Sequence, residues 1–173
     1  MKLSSKLICY HLQKSFPIHT SRLDTEPVLS CPACYEKATP LQDGRVYLVS
    51  GPDFRLTSPH PKNILFLIVG ASYHDYELSQ PNLCVIPQDI PVNMILNKLQ
   101  EIFLIYDQWN QSLIDSRLRN ASIMELMELT DCIIPNPMML IGMDFTIIAS
   151  KKWELGDLSN SVLGSSENSW ALV

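Results

Sequence analysis

The sequence predicts an α/β (α+β) fold in which a small mixed sheet with flanking helices is followed by a long connecting helix. Continuous apolar runs at 64–69 and 83–86 end at Gly70 and Pro87, which is typical of central strands covered on both faces. The segment that follows Pro91 contains no Gly or Pro up to Asn120, and apolar side chains recur in it with gaps of three and four. This pattern predicts a continuous helix of about 25 residues.

Composition excludes several classes of protein. The 173 residues are 46% hydrophobic and 18% charged, enough for one good-sized core or two small ones. No apolar run approaches the roughly 20 residues of a membrane-spanning helix, and the N-terminal segment carries lysines where a signal peptide would be apolar. A net charge of −5 disfavours nucleic-acid binding by these residues. We therefore expect a cytoplasmic chain with no membrane contact and, since five cysteines cannot all pair, reduced thiols.

Residues 1–90 are predicted to form a small α/β sensing domain. The opening segment predicts a helix that is capped by Ser4 or Ser5 and ends before Pro17. Two strand candidates, EPVLSCPACYE and GRVYLVS, precede the two apolar runs. The connections between strands are short and rich in Pro, Gly, Ser and Asp, which leaves room for one helical turn at most.

Residues 91–119 are predicted to form a linker helix with a heptad seam on one side. Two interpretations remain open at the level of sequence. The seam meets the same helix of a second chain in a homodimer, or the helix is a single amphipathic element that covers its own domain. The seam positions, which the first interpretation assigns to the dimer interface, are Val92, Ile95, Leu99, Ile102, Tyr106, Trp109 and Leu113.

Residues 120–173 predict only part of a domain, or an unusually small one. The segment SIMELMEL begins with Ser122 and Glu125 at the spacing of a capping box, which predicts a short helix. Two apolar strand candidates joined by GMD then predict a hairpin. A short helix and one hairpin cannot bury each other's apolar faces, so this region needs a further packing surface.

The stretch CPAC, Cys31 to Cys34, has the spacing of zinc knuckles and redox dithiols. A structural zinc site needs four ligands, and no second Cys or His pair follows nearby. A redox dithiol opens a helix, whereas the residues downstream run to Pro40 and Gly44 without helical length. The favoured interpretation is an extended segment that Pro32 limits to a sheet edge or a bulge.

Small and polar residues follow the predicted strands, at the end where open α/β sheets bind ligands. Ordinary surface turns are the alternative interpretation of the same residues. No nucleophile-and-base motif, phosphate-binding loop or metal-binding motif occurs, so we expect no catalytic residue, no metal and no cofactor. The ligand-site candidates are Ser50, Gly51, Gly70, Ser72, Tyr73 and His74.

In residues 40–150, the residue pattern and the order of the predicted helices and strands resemble the N-terminal region of bacterial transcriptional regulators of the purine-catabolism-regulator and sugar-diacid-regulator type (PucR/CdaR-like). In that family an α/β region is followed by a helix of L-x-x-I-F-x-x-Y-D-x-W texture. Its counterparts here are Leu99, Ile102, Phe103, Tyr106, Asp107 and Trp109. The unit after it, with Asn136-Pro137 and MDFTIIAS, resembles the start of a PAS- or GAF-like sensor.

The resemblance implies a non-enzymatic, effector-sensing and dimerisation region of a transcriptional regulator. Family members bind DNA through a C-terminal helix-turn-helix domain, which these residues do not contain, so DNA would be reached only through a domain absent from this chain. A homodimer through the long helix and an unidentified small-molecule effector are the expected partners. Two alternatives stay open: a thiol or zinc protein that uses CPAC, and a protein-interaction module without a small-molecule ligand.

Overall fold

A computed structural model describes residues 1–37, 40–50, 63–71, 82–87 and 90–151. The predicted α/β class is confirmed, because the described residues form a five-stranded mixed sheet, a two-stranded sheet and three α-helices, one of them long. The chain divides into two compact units, Met1–Asp107 and Gln108–Val173. The sequence-based division instead treats the long helix as a separate linker, whereas the two units share it.

The sheet of the first unit has its longest strands at the centre. The strands are β1 (His19–Thr20), β2 (Pro32–Cys34), β3 (Arg45–Ser50), β4 (Ile64–Val69) and β5 (Leu83–Ile86). Their order across the sheet is β1-β5-β4-β3-β2. Neighbouring strands from β2 to β5 are parallel, whereas β1 pairs with β5 in the antiparallel sense. Every residue of β4 is buried.

Both faces of this sheet are covered, which explains its continuous apolar runs. On one face, Tyr47 and Phe66 are neighbours on β3 and β4, and Tyr35 and Leu41 from the connection between β2 and β3 pack against them. On the other face, Cys84 of β5 contacts Cys9 of the first helix, α1 (Ser5–Leu12). Strand side chains alternate between faces, so a strand covered on both sides needs apolar residues at every position.

The predicted N-terminal helix is confirmed, and its cap is Ser4. The Ser4 hydroxyl accepts a hydrogen bond from the backbone N–H of Leu7 at 3.2 Å. Ile8 and Leu12 of α1 are completely buried, so the apolar side of this helix lies against the core of the first unit.

The long helix, α2 (Val92–Leu118), has 27 residues and buries most of its seam within one chain. Ile95, Leu99, Ile102 and Tyr106 are 0–4% exposed, whereas Leu104 is 55% exposed. The remaining seam residues Val92, Trp109 and Leu113 are half-buried. This burial agrees with the interpretation of α2 as a cover for its own domain. The four central seam residues are therefore not free to form the predicted dimer interface, and a homodimer would need another surface.

The described part of the chain contains no helix that is both long enough and apolar enough to cross a membrane.

The C-terminus of α2 is closed by a Schellman motif. Asn120 has a left-handed backbone with φ of 53°. Its N–H bonds to the carbonyl of Arg117 at 3.2 Å, and the N–H of Ala121 bonds to the carbonyl of Ser116 at 2.9 Å. These two bonds satisfy carbonyls that a helix end otherwise leaves unpaired, so the chain turns sharply after Leu118.

The second unit contains the predicted short helix and the predicted hairpin. The helix, α3 (Ile123–Glu128), starts with the capping box of Ser122 and Glu125 and continues into a 3-10 turn, Leu129–Cys132. The strands β6 (Met138–Ile141) and β7 (Ile147–Lys151) form the antiparallel hairpin.

Lys151 fastens the hairpin to the end of α3. The residue is 6% exposed. Its Nζ donates to the Met127 carbonyl at 3.0 Å and to Thr130 Oγ1 at 2.8 Å, and it forms an ion pair with Asp131 at 2.9 Å. Among the described residues of this unit, the only buried apolar side chains are those of Met127 and Ala149. The polar contacts of Lys151 therefore contribute more here than in a unit with a large core.

We expect Leu99→Ala to lower the free energy of unfolding by about 2–5 kcal/mol, because it opens a cavity at a fully buried position of α2. The control is Leu104→Ala, which removes the same atoms from the exposed side of the same helix and should change stability by no more than about 0.5 kcal/mol. Urea titration followed by far-UV circular dichroism measures both, at a protein concentration low enough for the chain to be monomeric, so that a contact between two chains cannot contribute to the result. Equal losses would contradict the burial of the seam within one chain.

A second prediction concerns the end of α2. Asn120→Ala should destabilise the protein by about 1 kcal/mol, because a residue with a Cβ and no compensating amide disfavours the left-handed conformation. Asn120→Gly should be neutral or stabilising, since glycine adopts that conformation freely. Thermal and urea unfolding of the two variants in parallel test this, and a glycine variant as unstable as the alanine variant would refute the Schellman assignment.

Candidate functional site

The predicted ligand site lies at the carboxyl ends of the parallel strands, and the structure brings two of its residues to that edge. Ser50 is the last residue of β3 and pairs in register with Val69, the last residue of β4, so Ser50 and Gly70 lie at the same end of the two strands. Gly70 has φ of +71°, and its N–H donates to the carbonyl of Ile86 at 2.9 Å. The other candidates, Gly51, Ser72, Tyr73 and His74, lie outside the described residues.

The strand order gives this edge no obvious crevice among the described strands. Ligand crevices in open α/β sheets form where the strand order reverses, because neighbouring crossovers then lie on opposite faces. Here β2, β3, β4 and β5 follow one another across the sheet without reversal. Right-handed crossovers in such an order all lie on one face. A ligand site at the strand ends therefore stays a prediction.

The CPAC stretch forms an edge strand. Pro32 to Cys34 is β2, which pairs only with β3 in the described sheet, and Ala33 packs towards the core. Cys31 and Cys34 are exposed free thiols. Within the described ranges, no three His, Cys, Asp or Glu side chains lie close enough together to hold a metal ion. The interpretation of CPAC as an extended segment at the sheet edge is confirmed, and the position of Pro32 explains the edge.

A polar contact joins α1 to α2 inside the first unit. His11 Nε2 lies 2.9 Å from the hydroxyl of Tyr106, and the two rings meet edge to face. Burial lowers the pKa of His11 below its ordinary value, and the positive charges of Lys14 and Lys98 lower it further. The neutral form of His11 is therefore the one that fits between the helices.

A cleft of about 530 Å³ opens beside the last two turns of α2, and its described lining residues all belong to the second unit. Its volume is in the range of small-molecule sites. Three polar side chains of α2, the side chain of Arg119 directly after it and two leucines line the cleft. The lining residues are Ser112, Asp115, Ser116, Leu118, Arg119 and Leu129.

The charged side chains of the cleft, Asp115 and Arg119, each form a hydrogen bond within the protein and still have atoms that a ligand could bind. Arg119 donates to Ser116 Oγ at 3.2 Å, and Asp115 accepts from Gln111 Nε2 at 3.0 Å. Ser116 is 1% exposed, so this hydroxyl fixes one edge of the guanidinium from a buried position. Asp115 and Arg119 form no ion pair with each other among the described ion pairs.

Glu125 adds a negative charge near Arg119. Hydrogen bonds from the backbone and the hydroxyl of Ser122 lower the pKa of Glu125, and the charge of Arg119 lowers it further. Its Oε2 accepts from the Ser122 N–H at 2.7 Å and from the Ser122 hydroxyl at 2.9 Å. Glu125 is therefore ionised at neutral pH and held by the capping box, so it stays in place beside the cleft.

The lining of the cleft combines polar donors and acceptors with two apolar side chains, as ligand-binding sites do. The ligand-site prediction did not include it, although its polar residues carry a sequence signal. Ser112, Asp115, Ser116 and Arg119 stand at i, i+3, i+4 and i+7, which places four polar groups on one face of a largely apolar helix. Leu129 comes from another element, so the space beside that face becomes evident only in three dimensions.

Comparison with protein-family models, with curated proteins and with solved structures gives no match for this chain.

The lowered pKa of His11 predicts how the stability of the protein depends on pH. Because its pKa in the folded protein lies below the ordinary value of 6.5, the unfolded chain binds the proton more readily. Stability should therefore be highest above pH 6.5 and should fall as the pH decreases from 6.5 through the lowered pKa.

Urea titrations at a series of pH values measure this slope. His11→Gln keeps a polar group beside Tyr106 but cannot be protonated, so it should flatten the decline. His19→Gln, at an exposed histidine of β1, is the control and should leave the decline intact. A slope that survives in His11→Gln would show that other groups cause it.

Proposed function

We propose that this chain is the effector-sensing and dimerisation region of a bacterial transcriptional regulator of the type that its sequence resembles. In this proposal the protein has no catalytic role, acts in the cytoplasm and reaches DNA only through a domain outside these residues. The observation that carries the proposal is the division of α2. Its residues up to Asp107 belong to the first unit, and its last turns line the cleft of the second.

A shared helix is a physical means of coupling two units. A ligand in the cleft contacts α2 directly through Ser112, Asp115 and Arg119. The same helix is anchored in the first unit by Leu99 and Ile102, which are almost completely buried. A ligand that binds one conformation of the last turns of α2 more tightly than another therefore shifts the equilibrium between these conformations of the helix. The size of the response is limited by the ligand's difference in affinity for the two arrangements.

The proposed homodimer uses the side of α2 that the fold leaves open. Met94 and Leu104 are 53% and 55% exposed, in contrast to the buried seam on the other side. Apolar side chains exposed on a helix are the type that a partner helix covers. We expect Leu104→Glu to weaken such a dimer without unfolding the protein, because the side chain projects into solvent.

The test begins with a thermal-shift screen of small metabolites, since a compound that binds only the folded chain raises its melting temperature. Hydrogen exchange and sedimentation velocity then follow the best compound. We expect slower amide exchange both at 112–119 and at 92–107, together with a changed monomer–dimer equilibrium. Arg119→Gln should remove these effects, whereas Arg117→Gln, an equal charge change outside the cleft lining, should retain them.

Two results would contradict the proposal. One is a compound whose protection stops at the cleft and leaves exchange at 92–107 unchanged. The other is a chain that stays monomeric at high micromolar concentration with and without the compound, because dimer geometry would then have no part in the response.

A further inference from the structure

We propose that the cleft of the second unit binds a free α-amino acid with an apolar side chain. This inference rests on the proposed sensing function and names the chemical class of its effector. The carboxylate of the amino acid would bind Arg119, the ammonium group would bind Asp115, and the side chain would lie against Leu118 and Leu129.

The arrangement of charge is the first argument. Arg119 directly follows α2, and its N–H donates to the carbonyl of Asp115 at 3.1 Å, so the two residues are one turn apart and their Cβ atoms are about 5–6 Å from each other. Both side chains are exposed and line the same cleft, yet they form no ion pair with one another. An α-amino acid carries one positive and one negative group, so it can pair with both side chains at once. A ligand with a single charge pairs with one group and faces a like charge on the other.

The neighbours of the two groups favour the same orientation. Ser116 holds one edge of the Arg119 guanidinium at 3.2 Å, which leaves other N–H donors of the fork for a carboxylate. Asp115 accepts one hydrogen bond from Gln111 and has oxygen lone pairs left for an ammonium group.

The same surroundings disfavour anionic ligands. A phosphate or a dicarboxylate would meet Arg119 as the cation of the cleft lining, together with the negative charges of Asp115 and the nearby Glu125. The apolar wall formed by Leu118 and Leu129 then distinguishes amino acids from one another, since it contacts a hydrocarbon side chain better than a polar one. A volume of about 530 Å³ holds any of the standard amino acids.

The experiment compares three molecules that share one side chain. L-Leucine carries both charges, 3-methylbutylamine lacks the carboxylate, and 4-methylpentanoate lacks the ammonium group. Isothermal titration calorimetry and thermal shift on the full chain measure the affinity of each. L-Methionine and L-glutamate test the preference for an apolar side chain.

We expect leucine or methionine to bind at least about 10-fold more tightly than either single-charge analogue, the effect of losing one charge-assisted hydrogen bond. Arg119→Gln and Asp115→Asn should each weaken binding about 10- to 100-fold. The matched controls are Arg117→Gln and Glu128→Gln, which make the same charge changes outside the cleft lining and should leave binding unchanged.

Three outcomes would overturn the inference: no binding by any standard amino acid, equal binding of leucine and its single-charge analogues, or equal losses in the control variants. These failures can be told apart from failure of the proposed function. If an uncharged or anionic metabolite binds in an Arg119-dependent manner and alters exchange along α2, the sensing function stands and only the ligand class is wrong. If no small molecule binds, both are wrong.

Discussion

The structure of the first unit depends on the burial of β4 on both faces. Its six residues are apolar at every position, and all are buried. A strand of this kind cannot exist in water without covers on both sides of the sheet, because each face alone would expose three large side chains. The connections that carry Tyr35 and Leu41 supply one cover, and α1 supplies contacts on the other through Cys9. The edge position of β2, with Pro32 in it, follows from the same arrangement, since proline cannot take part in a central strand.

The long helix has two different surroundings along its length. In its first part the seam is buried, and Tyr106 is joined to α1 through His11. In its last turns three polar side chains and Leu118 line the cleft, and the Schellman motif at Asn120 ends the helix beside them. Among the described residues of the second unit, Met127 and Ala149 are the only buried apolar side chains, so polar contacts such as those of Lys151 contribute much of the packing there. Regions with few buried apolar contacts open at a lower free energy than a well-packed core.

The cleft owes its properties to ordinary side chains and to the residues that surround them. Arg119 and Asp115 are ordinary surface charges on a helix, and an exposed pair of this kind contributes little to stability. In the cleft the buried Ser116 holds the guanidinium, the capping box keeps Glu125 nearby, and Leu129 contributes an apolar side chain to the lining. None of these contacts requires an unusual residue, and together they give a small space with one cationic group, one anionic group and an apolar side.

The sequence by itself determined the elements that depend on local patterns. The apolar runs of β4 and β5, the cap at Ser4, the capping box at Ser122 and the hairpin after Pro137 are all evident from residue order, because strand alternation, helix caps and turns are set by near neighbours. Only the tertiary structure decided what each apolar or polar face contacts. A seam with gaps of three and four serves a coiled coil or an intramolecular contact equally well, so Leu99 and Ile102 gave no indication that their own domain buries them. The polar stripe from Ser112 to Arg119 likewise becomes the wall of a cleft only where a distant residue, Leu129, bounds the space beside it.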